Sequence, residues 1–275
     1  MLKDITFGQY FESGSFIHKL DPRTKLICLI AIIVFVFVSK SALALSFVAA
    51  FIIFSALFSK VPLKMYLKNF KAILPIIIFT MIINLFYNAS GDVLLSFWKL
   101  TITTGSLYRA VYMAARILLL IIASAELTYT TTPNDLTDAI ENLLSPLSFI
   151  GLKNAVHTLA MMMTIALRFI PTLIEETQKI MNAQKARGAN LEDGKLMEKI
   201  KALIPILIPL LISSVRRAYE LAEAMECRCY NGGEGRQRMK QLKYNFNDIK
   251  AFVATILVCG GVISINIILL FGRFL

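Results

Sequence analysis

Apolar residues in this chain come in runs separated by basic punctuation. Residues 26–59 carry a single charge, Lys40, with Ser39 and Ser41 beside it, which predicts a helical hairpin with two rather short arms. A third apolar run covers residues 72–87, with Pro75 near its start, and a fourth covers residues 106–128. A last run, residues 251–271, has no charge across 21 positions. A membrane-spanning helix needs about 20 predominantly apolar residues, so the pattern predicts five spans. Between the second and third runs stand Lys60, Lys64, Lys68 and Lys71. Excess Lys and Arg mark cytoplasmic segments, so the amino terminus is expected inside and the carboxyl terminus outside. The connection at 88–105 has only Asp92 and Lys99 and suits the outside; its Asn88-Ala89-Ser90 is a glycosylation sequon of a kind common by chance.

Two further runs, 155–170 and 202–215, are short for a span. The first is interrupted by Arg168 and ended by Pro171; the second contains Pro205 and Pro209. Basic clusters follow both: Lys179, Lys185, Arg187, Lys195, Lys199 and Lys201 after one, Arg216, Arg217, Arg228, Arg236, Arg238, Lys240 and Lys243 after the other. If either run crossed alone, one cluster would lie outside; if neither crosses, all stay inside. Both are therefore expected to graze the membrane and continue as cytoplasmic arms. The first arm carries Leu173, Thr177, Ile180, Met181 and Gln184 on one side, the second Val215, Ala218, Ala222, Met225 and Cys229. Small residues in the second stripe permit close helix approach. Gly188 offers a left-handed cap after Arg187, and the second arm stops near Tyr230-Asn231-Gly232-Gly233.

Ahead of the arms, Thr132 can cap a helix, Pro133 suits its first position and Asp135 completes a start resembling a capping box. Leu136, Ile140, Leu143, Leu144 and Leu147 then form an apolar face with Asp138, Glu141 and Asn142 opposite, and Pro146 limits the length. Arg116 falls near the middle of the fourth span, where an arginine costs roughly 2.5 to 3.5 kcal/mol to insert. It is expected to face protein and find an internal partner.

Composition agrees with the pattern: 57% hydrophobic residues, mean hydropathy +0.67 and 17% charged residues, against about 25% in soluble domains. The first 25 residues, with Lys3, Asp4, Glu12, His18, Lys19, Asp21, Arg23 and Lys25, lack the apolar core of a secretory signal. The net charge of +11 is explained by topology rather than by nucleic acid. Cys28, Cys227, Cys229 and Cys259 imply no disulfide framework, and His18 and His157 are too few for a typical metal site. Gly188 and Gly194-Lys195 imitate a phosphate-binding loop, but the glycine spacing is wrong and Leu196 stands where a hydroxyl is needed. No Ser-His-Asp, Cys-His or paired-carboxylate arrangement points to an enzyme, and no cofactor is expected. A secondary transporter is the first alternative, but it would show two comparable membrane halves and midplane ionisable groups; a membrane-embedded enzyme is the second.

The segments "SFIHKLDPRTKL", "TTPNDL", "LRFIPTLIEE", "AQKARGA" and "AMECRCYNGGEGR" resemble, in order and position, the transmembrane T component (EcfT/CbiQ family) of energy-coupling factor (ECF) vitamin and metal transporters. The likeness covers nearly the whole chain. It implies an all-α protein with about five transmembrane helices and three cytoplasmic or interfacial coupling helices, multi-pass in a bacterial cell membrane. The organisation becomes a cytoplasmic lead-in at 1–25, transmembrane helices at 26–130, a coupling-helix module at 131–246 and a final membrane helix within 247–275. In that family two long helices end in Ala-Arg-Gly motifs that dock into two ABC-type ATPase subunits, while the membrane part holds a substrate-binding S component. Ala186, Arg187 and Gly188 match the first motif fully. The second stands as Cys227, Arg228 and Cys229: the arginine is kept and both neighbours depart, with Gly232 the nearest other helix terminator. The bland role for each arginine is to complement the helix dipole, worth about 0.3 to 1 kcal/mol; the further role is a planar fork that grips a partner carboxylate.

Overall fold

The computed structural model describes residues 10–86, 93–97, 100–146, 153–189, 196–230 and 242–271. The sequon at 88–90, Leu147, Gly194-Lys195, Gly232-Gly233, Arg236, Arg238 and Lys240 lie outside them. The fold is all-α apart from one small hairpin, and it divides into two compact units, one within Gly8–Thr132 and Leu242–Leu275, the other within Pro133–Gln241.

The first unit contains α1 (Pro22–Val38), α2 (Ala42–Phe58), α3 (Leu63–Phe86), α4 (Thr104–Thr130) and α8 (Phe246–Phe271). Local chemistry sets the helix starts. Asp21 caps α1 by accepting from the Arg23 amide, with Pro22 at the first position, and Ser41 caps α2 through the Ala44 amide. Thr103 and Ser106 form a reciprocal capping box on α4. The core lies where α1, α2, α4 and α8 meet, around Val36, Val48, Ile52, Leu119, Ala123 and Val262. Gly261 lets α8 approach α2: a Cβ there would stand 2.7 Å from the Phe47 ring. A smaller cluster joins Val61, Ala125 and Tyr129, and the Tyr129 hydroxyl donates to the Met65 carbonyl at 3.2 Å.

Arg116 has found its internal partner, and it is not a carboxylate. Its Nη2 donates to the Ser39 carbonyl at 2.6 Å, the oxygen that also accepts from the Tyr112 hydroxyl at 2.7 Å. Ser39 is the C-cap of α1, so the guanidinium meets the negative end of that helix, with the Tyr112 ring 4.9 Å away. Asn266 of α8 holds the same turn through the Val38 carbonyl, at 3.1 Å.

Several boundaries differ from the sequence reading. The third apolar helix begins at Leu63, so Lys64, Lys68 and Lys71 ride on it and Pro75 sits inside it; lysine stems long enough to reach past apolar surface make this possible. The expected plain connection contains strands β1 (Val93–Phe97) and β2 (Leu100–Thr103), paired antiparallel. Among the described residues, four helical stretches are long and apolar enough to cross a membrane: α3, α4, Ala155–Ala186 and Phe246–Leu269. At 17 residues each, α1 and α2 sit at the lower limit of about 17 to 25.

The second unit consists of α5 (Pro133–Leu144), α6 (Lys153–Ala186) and α7 (Leu196–Glu226). The arms are continuous rods: α6 runs through Pro171, and α7 through Pro205 and Pro209. With 34 and 31 residues and 1.5 Å of rise per residue, they are about 51 and 46 Å long. The short amphipathic helix begins at Pro133 as expected, but its polar face is not free. Glu141 pairs with His157 of α6 at 3.1 Å, and Thr137 and Ala139 are buried. Asp138 is half-buried. Packing against α6 makes Glu141, a residue of the predicted outer face, a contact.

Candidate functional site

Both arms end in the same hydrogen-bonded cap. On α6, Gly188 adopts φ +86°, its amide donates to the Lys185 carbonyl, and the Ala189 amide reaches back to Gln184, both at 3.0 Å. This pair of bonds is the Schellman motif, in which a left-handed residue after the C-cap satisfies the last carbonyls. On α7 the left-handed residue is Cys229, with φ +55°. Its amide donates to Glu226 at 2.9 Å and the Tyr230 amide to Met225 at 3.1 Å. The bonds superimpose residue for residue: Ala186 with Cys227, Arg187 with Arg228, Gly188 with Cys229. The cap on α7 is therefore closed by Cys229, ahead of Gly232.

The cap decides where the arginines stand. Arg187 and Arg228 both occupy the C-cap, the last residue before the chain turns away, and both are exposed together with their neighbours in the motif. Among the described residues neither makes an ion pair. Each guanidinium is thus carried at the end of a long rod with its donor fork open to another molecule. Cys227 and Cys229 are free, exposed thiols.

Behind the tips the rods are fastened to each other. Glu176 of α6 accepts from the Ser213 hydroxyl of α7 and pairs with Arg217 at 3.0 Å. An apolar cavity of about 270 Å³ lies between the arms, lined by Phe169 and Leu173 on one side and Ala218, Ala222 and Met225 on the other. Of the residues expected on the arms' apolar stripes, Leu173, Ala218, Ala222 and Met225 line this cavity; Phe169, Leu221 and the polar tie Glu176 were not anticipated. The signal was available: Ser213 and Arg217 are four residues apart, on one face of α7.

Comparison with known proteins places the chain in a family. The CbiQ family, described as cobalt transport protein, matches residues 13–240. This chain belongs to the EcfT/CbiQ family. It is 50% identical over 266 residues to the energy-coupling factor transporter transmembrane protein EcfT of Clostridium kluyveri, covering 96% of this chain and 98% of that one. The protein of the same name from Ruminiclostridium cellulolyticum is 49% identical, over 96% and 97% of the two chains. That from Listeria innocua is 39% identical, over 94% and 97%. Membership in the EcfT/CbiQ family and the apolar helices make this a multi-pass membrane protein and the membrane component of an ECF transporter.

Proposed function

We propose that the chain passes the ATP-driven motion of two cytoplasmic ABC-type ATPase subunits to a membrane-embedded, substrate-binding S component for vitamin or trace-metal uptake, without catalysing a reaction itself. One observation carries this reading: two long helices end in the same cap with an exposed arginine at the same position. A dipole-complementing cation needs no such repetition. A guanidinium gripping a carboxylate through two hydrogen bonds does, because its position relative to the rod then has to be fixed. The Glu176 tie between the rods favours joint movement of the tips.

In this reading α1, α2, α3, α4 and α8 cross the membrane, with the amino terminus cytoplasmic. Helix α6 has the length and apolarity to cross, but its crossing alone would place one of the two basic clusters outside. It is therefore kept with α7 on the cytoplasmic side.

The test is charge reversal at the tips. Losing one partner of a buried charged pair costs about 2 to 5 kcal/mol, roughly thirtyfold to several thousandfold in affinity at that site. The other arm still tethers the ATPase pair at high effective concentration. Arg187→Glu or Arg228→Glu alone should reduce transport while some complex survives pull-down, and the double variant should lose the ATPases. Arg→Lys should fall between. Normal assembly and transport by the double variant would reduce the arginines to dipole caps.

A further inference from the structure

The unit built from α1, α2, α4 and α8 contains a partly open cavity of about 460 Å³, within the roughly 300 to 1,000 Å³ of small-molecule sites. Its walls change character along the helix axes. Near the starts of α1 and α8 and the ends of α2 and α4, they present Lys25, Lys250, Ser55, Glu126 and Thr130 among apolar side chains such as Leu20, Phe58 and Leu127. Deeper in, the lining is Leu29, Ile32, Phe51, Ile52 and Ala254. The distance from Thr24 to Ile32 along α1 is about 12 Å at 1.5 Å per residue.

Neither water nor a wholly apolar guest suits this shape. Ordered water needs two to four polar partners, and at the deep end the Thr255 hydroxyl already donates to the Ala251 carbonyl at 2.9 Å. At the outer end Lys25 and Glu126 are held by the protein itself, leaving Lys250 as a cation open to a guest. Lys25 Nζ donates to the Thr130 carbonyl at 2.8 Å and to the His18 carbonyl at 3.3 Å, while Glu126 accepts from the Ser55 hydroxyl at 2.7 Å. Lys250 is exposed at the rim. A guest with an anionic head and an aliphatic tail matches both ends. We propose that this cavity binds one anionic glycerophospholipid from the surrounding bilayer, one of its two acyl chains in the inner half and its phosphate at Lys250. The lipid then replaces missing packing between four helices, independently of how the arms dock.

The full chain in detergent should be titrated with phosphatidylglycerol and with phosphatidylcholine of the same acyl chains, and bound lipid counted by native mass spectrometry. One phosphatidylglycerol should bind in preference to phosphatidylcholine. Lys250→Gln should cut that preference about fivefold, the effect of one basic residue near an anionic lipid surface. Ala254→Phe, which fills the inner end, should abolish the first binding event. Cys28 lines the cavity and gives a readout in the unaltered protein: phosphatidylglycerol should slow its alkylation at least tenfold. Equal first binding of the two lipids, unchanged binding by a folded Ala254→Phe variant, or alkylation of Cys28 indifferent to lipid each overturns the proposal. Should Ala254→Phe fail to fold, the lipid preference of Lys250→Gln and the alkylation of Cys28 decide it.

Discussion

Cys229 does what glycine does at the other tip, under strain that glycine avoids. For a residue with a Cβ the left-handed conformation costs roughly 1 to 2 kcal/mol, while glycine gives part of that back as greater freedom of the unfolded chain. Cys229→Gly should therefore stabilise the end of α7 by about 1 kcal/mol, slowing exchange of the Tyr230 amide about fivefold. Gly188→Ala should do the opposite to the Ala189 amide of α6. Chain neighbours aside, no atom of the described residues lies within 4 Å of a Cβ placed at Gly188, so backbone strain dominates there. Effects of the same sign at both tips would mean the caps are not equivalent. The first cap was legible because Gly188 follows Arg187 directly; the second was hidden because sequence favours Gly232 over a left-handed cysteine. His18 supplies a second residue-scale test. Its Nε2 meets the Phe11 carbonyl at 2.6 Å and its Nδ1 the Ser15 hydroxyl at 2.7 Å, a pattern suited to the neutral ring. Burial, aided by the Lys25 charge, holds its pKa below the usual 6.5, against the opposing pull of the Phe11 and Tyr129 carbonyls. The unfolded chain then binds more protons than the folded one. The contribution to stability is present above pH 6.5 and is lost as pH falls through the lowered value. Exchange of the Phe11 amide, which donates to the Tyr129 carbonyl, should rise in that window after correction for intrinsic rates. His18→Gln should remove the rise.

Elements were legible where their reasons are local. Among the described residues the hydrophobic runs fell on α1, α2, α3, α4, α6, α7 and α8, and Thr132-Pro133 marked the start of α5 because proline's missing amide is harmless there. Prolines 171, 205 and 209 did not divide the arms, since neighbouring turns can carry a helix past a lost hydrogen bond. Which face of α5 packs was not legible, because Glu141 became a contact only once α6 brought His157 to it. Asp248 is a similar case. As the third residue of α8 it reaches back to the Asn245 amide at 2.6 Å, and its other oxygen accepts from the Asp21 amide at 2.8 Å. One buried carboxylate thus fastens the starts of two helices through residues 227 positions apart in the chain. Asp248→Asn keeps the shape but replaces one acceptor with a donor aimed at an amide. It should destabilise the first unit by about 1 to 3 kcal/mol, read as a lower thermal midpoint in detergent. A midpoint equal to wild type would show that the double acceptance is dispensable.

At the scale of the whole molecule, the proposed topology and the proposed docking can be separated with the cysteines the chain already has. Cys227 and Cys229 are exposed at the tip of α7, whereas Cys28 and Cys259 are half-buried in apolar helices. A charged, membrane-impermeant maleimide needs an aqueous thiolate, so it should select the two tip cysteines wherever that side of the membrane is reachable. Intact cells should give no adduct. Inside-out vesicles stripped of ATPases should give two, at Cys227 and Cys229. Rebinding the ATPases should protect both, because a seated Arg228 buries the residues on either side of it. Adducts in intact cells would put the α7 tip outside and end the five-span reading, since the basic residues of that arm would then lie on the wrong side. Adducts in vesicles that ATPases do not diminish would leave the topology standing and remove the second tip from the docking surface. In that case the strained cap at Cys229 would end a helix without presenting its arginine to a partner, and coupling would rest on Arg187 alone.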